Sequence, residues 1–239
     1  MKKRINCIFI TILFVLFCSG VFYIISVQSE YLEAEKTYRN IQTDFTEDND
    51  GADGFTPDWK KLKALNPDIA AWIDIPGTKI SYPVLQGKDN NEYLRHDVNH
   101  RYSRAGCIFI DSSNAKPFED YNTVIYGHNL QNSGMFSDLK KFSKTVYAEE
   151  HPTVSIYLPD ETCLVYKVFS FHKVKTDNTE IYCTDVSDTA SFLQAVHQNN
   201  RLNPDISKSR IQSVITLSTC TNAEENERFV LHAVRIQSE

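Results

Sequence analysis

An uncharged apolar run from Ile5 to Ser29, set directly behind Lys2-Lys3-Arg4, constrains this chain more than any other feature. Its length meets the ~20 residues that cross a bilayer as a helix. The basic flank favours a cytoplasmic N-terminus, which puts everything after about Glu30 outside. A cleaved signal peptide is the competing reading. Its apolar core ordinarily holds about 7 to 15 residues and ends in small ones, whereas this run is longer and Val27-Gln28-Ser29 makes a poor cleavage site. Cys18 does not signal a lipoprotein, because Phe17 stands where a small residue is needed. The sequence therefore predicts a basic flank and single-pass membrane anchor over 1–29, an extracellular helix and acidic linker over 30–55, and one folded domain over 56–239.

The remaining chain is apolar enough for one core, with 41% hydrophobic residues overall. Its net charge is −6, and the first 29 residues hold three cations and no acid, so the outer part is more acidic still. A polyanion-binding surface, and with it nucleic acid as a partner, is not expected on that ground. Tyr31, Ala34, Tyr38, Ile41 and Phe45 alternate at spacings of three and four, which draws one apolar stripe down a helix. A coiled-coil seam normally needs three or more heptads, so packing against the chain's own domain is the better expectation. The acidic, glycine-containing stretch 46–54 reads as a surface loop.

Thr56-Pro57-Asp58 supplies an N-cap and a first-turn proline for a short helix carrying Trp59, Leu62 and Leu65 on one face. Asn66-Pro67-Asp68 repeats that signal and predicts another turn. Strands follow over 80–85, 106–110, 123–126, 154–158, 163–171, 212–217 and 229–236. Their number and spacing point to a closed or sandwiched β architecture. One late helix is expected from Ser187 or Asp188 to about Asn199, with Ala190, Phe192, Leu193 and Val196 on its apolar side.

Six cysteines are present. Cys7 and Cys18 lie in the apolar run, while Cys107, Cys163, Cys183 and Cys220 are widely spaced and suggest neither a disulfide scaffold nor a zinc site. Cys107 and Cys163 are expected only to pack inside strands, and Cys183 sits in a polar segment. Cys220 ends the apolar strand Ser213-Val-Ile-Thr-Leu-Ser-Thr-Cys220, where a side chain can meet substrate. Buried structural packing is the alternative for any single cysteine. His128 follows Thr123-Val-Ile-Tyr-Gly127 at another strand end and is either a loop histidine or a partner for a thiol on a neighbouring strand. Arg228 opens the last strand eight residues after Cys220. A hairpin would return it to Cys220; otherwise it is a solvated strand-end charge.

Tyr126-Gly-His-Asn129, Thr216-Leu-Ser-Thr-Cys220 and Arg228-Phe-Val together resemble the three catalytic motifs of sortases, in that family's chain order. Asn66-Pro-Asp-Ile-Ala-Ala-Trp-Ile-Asp-Ile-Pro-Gly-Thr78, Tyr82-Pro-Val-Leu-Gln-Gly-Lys-Asp-Asn90, Tyr93-Leu94 and Gly106-Cys-Ile-Phe-Ile-Asp111 resemble the segment ahead of the histidine in class B members. The resemblance spans residues 56–236. It implies a mainly β fold: a closed barrel of about eight strands with N-terminal helices and one helix in the loop between strands 6 and 7.

It also implies a cysteine transpeptidase with Cys220 as nucleophile, His128 as proton partner and Arg228 as transition-state stabiliser. Leu94, Thr176, Ile181, Tyr182 and Ser218 would line the peptide groove, and Asn90 would help orient the site. The implied partners are an NPxTN-like sorting signal of a secreted surface protein and an amine of a lipid II-like peptidoglycan precursor, with the membrane held through the N-terminal helix. No cofactor and no metal are expected, since the acids of 46–54 lack the spacing of a calcium loop. Papain-like or NlpC/P60 cysteine peptidases are the enzymatic rival, but they place cysteine before histidine. An inactive membrane-tethered binding module is the other rival, and retention of all three residues argues against it. A pilus-building class C enzyme is a third possibility; it ordinarily carries a lid segment ahead of the barrel and a second, C-terminal span, and no apolar tail leads up to Glu239.

Overall fold

The computed structural model describes residues 2–48, 55–130, 134–198, 200, 202 and 211–236. The apolar run and the amphipathic stripe expected behind it form a single helix, α1 (Lys2–Asp44). No proline falls within it and no glycine follows Gly20, so nothing in the sequence interrupts the backbone bonds. Phe14, Phe17 and Phe22 stand exposed in its first half, which is long and apolar enough to cross a membrane. In its second half Tyr38 and Ile41 are buried, and Tyr31, Ala34 and Phe45 pack against the same core. The stripe therefore docks on the chain's own domain. Tyr38 fixes the dock by donating its hydroxyl to the Gly106 carbonyl at 2.9 Å.

The loop expected over 46–54 begins with a short strand, β1 (Thr46–Asp48), which pairs with β2 (Phe55–Pro57) just after it; residues 49–54 of that expectation lie outside the described residues. Helix α2 (Trp59–Leu65) is capped by Asp58, whose carboxylate accepts from the Lys61 amide, and not by Thr56. Pro57 belongs to β2. The further turn expected at Asn66 forms as a single β-turn, closed by the bond from the Ile69 amide to the Asn66 carbonyl at 3.2 Å, and does not extend the helix. Pro67 disfavours helical geometry at Asn66, which is extended (φ −153°, ψ 118°), and the Asn66 carboxamide accepts from the Asp68 amide. The chain then enters a strand that the sequence reading missed, β3 (Ile69–Asp74).

Seven more strands follow: β4 (Ser81–Leu85), β5 (Ile108–Ile110), β6 (Asn122–Tyr126), β7 (Thr153–Tyr157), β8 (Cys163–Lys175), β9 (Ile211–Cys220) and β10 (Glu227–Ile236). With β3 they close an eight-stranded barrel in the order β10-β8-β7-β3-β4-β5-β6-β9. The β4/β5 and β6/β9 pairs are parallel and the rest antiparallel. Trp72, Tyr166, Phe171, Ile215, Leu217 and Leu231 are among the residues of the principal core.

A 3₁₀ turn (Ser137–Ser143) and α3 (Thr145–Glu150) connect β6 to β7. Helix α4 (Thr189–Gln198) lies between the sixth and seventh barrel strands, as expected, and starts at the Asp188 cap, whose carboxylate accepts from the Ala190 and Ser191 amides. The expected end at Asn199 lies outside the described residues. Phe192, Leu193 and Val196 of α4 pack with Val174, Val214, Val230 and Val234 in a second cluster. Cys163 corrects one expectation: it is exposed, because the first half of β8 alternates between solvent and core. Cys107 is buried as expected.

Candidate active site

Strands β6 and β9 run parallel with Tyr126 opposite Ser218, and the Gly127 amide bonds the Ser218 carbonyl at 3.1 Å. His128 and Cys220 therefore leave the barrel at the same rim of adjacent strands. Antiparallel β10 places Arg228 directly opposite Cys220. All three side chains line one groove of about 530 Å³, together with Asn90, Leu94, Thr176, Tyr182 and Ser218. Ile181 does not face it. That side chain is 1% exposed inside the α4 cluster, and its carbonyl accepts from Asn122. Both residues lie in a turn over 179–182 that sends Tyr182 to the groove and Ile181 into the core.

The His128 ring is fixed by a 2.8 Å contact between Nε2 and the Leu94 carbonyl. A carbonyl only accepts, so Nε2 carries a proton and Nδ1 is the ring nitrogen turned away from that bond. Burial lowers the His128 pKa, the Leu94 bond opposes that, and the charges of Arg95 and Arg228 add to the lowering.

Two glycines shape this arrangement. A methyl at Gly127 would come within 2.7 Å of the Phe136 ring. Gly106 has φ +56°, and a Cβ there would lie 2.7 Å from the carbonyl oxygens of both Tyr93 and Leu94. Gly106→Ala is expected to destabilise the fold by at least about 1–2 kcal/mol through the left-handed backbone alone. It should also lower turnover, because the displaced carbonyl is the one that orients His128. Urea denaturation and steady-state kinetics on the same preparation check both effects.

Arg228 is held by its own turn, Nη1 donating to the carbonyls of Glu225 at 2.7 Å and Glu227 at 3.1 Å. Cys220 is partly exposed and forms no disulfide. The amide that follows it, Thr221 N–H, is bonded to the Glu227 carbonyl at 3.3 Å.

The groove floor is aromatic and rests on one carboxylate. Tyr126 and Asn90 both donate to Asp111 Oδ2, at 2.8 and 3.0 Å, and Asn90 in turn accepts from the Ser112 amide. Tyr182 stacks on Tyr126 with centroids 6.1 Å apart and shares a 2.9 Å hydroxyl contact with Ser218. Burial, reinforced by Asp111, raises the Tyr126 pKa, and burial raises that of Tyr182, so both phenols stay neutral. Sequence reasoning gave Asp111 no role and overlooked Phe109, Asp177, Asn178 and Thr179 in the groove wall. The signal for Asp111 was there: an acid closing the apolar run Cys-Ile-Phe-Ile needs a buried partner.

The family model described as the Sortase domain matches residues 73–236. Sortase B of Listeria monocytogenes is 36% identical over 171 residues, covering 71% of this chain and 69% of that protein. Sortase B of Staphylococcus aureus is 32% identical over 183 residues, covering 74% of each. Among solved structures, a Staphylococcus aureus sortase B–substrate complex superposes with a TM-score of 0.74 at 28% identity, covering 88% of this chain and 100% of that one. With the family model over most of the chain, two sortase B relatives above 30% identity and the same closed barrel, this chain belongs to the sortase family, class B.

Proposed function

We propose that Cys220 is the nucleophile of a transpeptidase that cuts an NPxTN-like sorting signal after threonine and passes the acyl group to an amine of a peptidoglycan precursor. The observation that carries this is the convergence of Cys220, Arg228 and His128 on one groove from three strand ends. The thiolate of Cys220 attacks the threonine carbonyl. As the tetrahedral centre collapses, the peptide C–N bond breaks and the departing amine takes a proton from His128 Nδ1. A thioester on Cys220 remains. The acceptor amine then attacks the thioester, His128 takes back a proton, and the C–S bond breaks.

A lowered His128 pKa makes its imidazolium a stronger acid, which favours protonation of the leaving amine. The Thr221 amide is already engaged, so the developing oxyanion falls to Arg228, whose planar fork offers donors beyond Nη1. Asn90, Leu94, Thr176, Tyr182 and Ser218 would hold the peptide. Residues 1–29 would serve as the single-pass anchor and 56–239 as the extracellular catalytic domain, which sets the groove where secreted chains emerge.

The test is transfer against hydrolysis. Full-length protein in detergent is incubated with quenched NPxTN-like peptides and an increasing concentration of a glycine or diamino-acid acceptor, and products are read by mass spectrometry. Cleavage after threonine with an amide product that replaces the acid as the acceptor rises is expected. Hydrolysis indifferent to any acceptor would favour the cysteine peptidase reading instead.

A further inference from the structure

Backbone bonding between the histidine-bearing and cysteine-bearing segments stops before either residue is reached. The β6/β9 ladder ends with the bond from the Gly127 amide to the Ser218 carbonyl, and the His128 carbonyl turns away to accept from Phe136 at 3.0 Å. Beyond that point two side-chain amides bridge the gap. Asn129 Nδ2 donates to the Cys220 carbonyl at 2.8 Å, and Asn222 Nδ2 donates to the Asn129 carbonyl at 3.0 Å. The two links run in opposite directions, so each of these chain segments supplies one donor and one acceptor. Asn222 sits at φ +62°, a left-handed geometry that asparagine tolerates better than most residues.

We propose that Asn129 and Asn222 are positioning residues for transpeptidation: a two-amide clasp that fixes the Cys220 backbone against the His128 loop. The proposal rests on reading Cys220 and His128 as the catalytic pair. The physical need is plain. The flanking turns could each drift on their own, and a misplacement of about 1 Å between reacting groups costs on the order of 10²-fold in rate. Each link spans more than ninety residues of chain, so no local turn preference holds the two segments together.

Two substitutions isolate the amides. Asn129→Asp keeps shape and turn preference but cannot donate, and it faces the Cys220 carbonyl with a second acceptor. Asn222→Gly keeps the left-handed backbone and removes only the donor. In each variant kcat on the sorting peptide is expected to fall about 10- to 100-fold, with KM within about twofold and the melting temperature near wild type. The double variant should fall no further than the worse single one, because a clasp opened at either link is already open.

Wild-type kcat in either variant overturns the proposal, as does a loss that tracks a drop in melting temperature. Should the wild-type protein cleave no sorting peptide, the transpeptidase reading fails by itself. The clasp is then decided by iodoacetamide alkylation of Cys220, followed by peptide mass spectrometry: a slower rate in both variants supports it, and an unchanged rate overturns it.

Discussion

Cys220→Ala is expected to abolish the acyl-enzyme and to lower peptide cleavage by at least about 10⁴-fold, since removal of a nucleophile leaves only binding and electrostatic assistance. Arg228→Lys should cost about 10²- to 10³-fold in kcat, the range for loss of one oxyanion donor. A lysine keeps the charge but cannot both hold the Glu225 and Glu227 carbonyls and present a planar fork to the groove. Cys107 supplies the contrast. It is fully buried under the Tyr38 hydroxyl, and burial pushes its thiol up to about 12, so it has no thiolate to offer at neutral pH. Cys107→Ala is expected to retain most of the activity. Intact-mass detection of a thioester with a slow-turnover peptide distinguishes the three variants, and cleavage by Cys220→Ala at the wild-type rate would sink the assignment.

Much of this was legible without coordinates, for reasons that particular residues make clear. The site could be read because Tyr126-Gly-His and Leu-Ser-Thr-Cys220 each close an apolar strand, so that chemistry-bearing residues follow β-pattern without a gap. Short strands with alternating or fully apolar content were equally visible. β3 was not, because Ile-Ala-Ala-Trp-Ile-Asp carries two alanines of low strand propensity and no period of two, while Asn66-Pro67-Asp68 ahead of it mimics a helix start. The pointing of Ile181 and Tyr182 depends on where the loop after β8 sits against α4, which no local pattern encodes. The Asn129 and Asn222 bridges belong to the same class: asparagine near a glycine or an acidic turn reads as loop chemistry until the strands that carry it are paired.

The same outer barrel face that carries α4 holds a pair of histidines with no place in the mechanism, and they set an acid limit on the fold. His172 and His232 stack with centroids 5.3 Å apart and planes 16° from parallel, at 2% and 0% exposure. His172 Nδ1 meets the Ser170 hydroxyl, which in turn donates to the Val196 carbonyl of α4, whereas neither nitrogen of His232 has a hydrogen-bond partner among the described residues. Burial pushes His172 down to about 4. Burial, then the proximity of His172 and His197, holds His232 well below the ordinary imidazole range.

Both imidazoles titrate near 6.5 in the unfolded chain, so the unfolded state takes up protons first as the pH falls. Stability is complete above about 6.5 and declines through acid pH until the native His172 itself protonates near 4. Between pH 7 and pH 4.5 the loss attributable to His172 is about 2–3 kcal/mol, with a further loss of the same sign from His232. Carboxylates with lowered pKa, such as Asp188 and Glu227, act mainly below that window. Urea denaturation at pH 7 and 4.5 checks this. His172→Phe and His232→Phe should each flatten the dependence, since a phenyl ring keeps the stack and cannot titrate. Slopes that stay parallel to wild type would mean that the acid limit is set elsewhere.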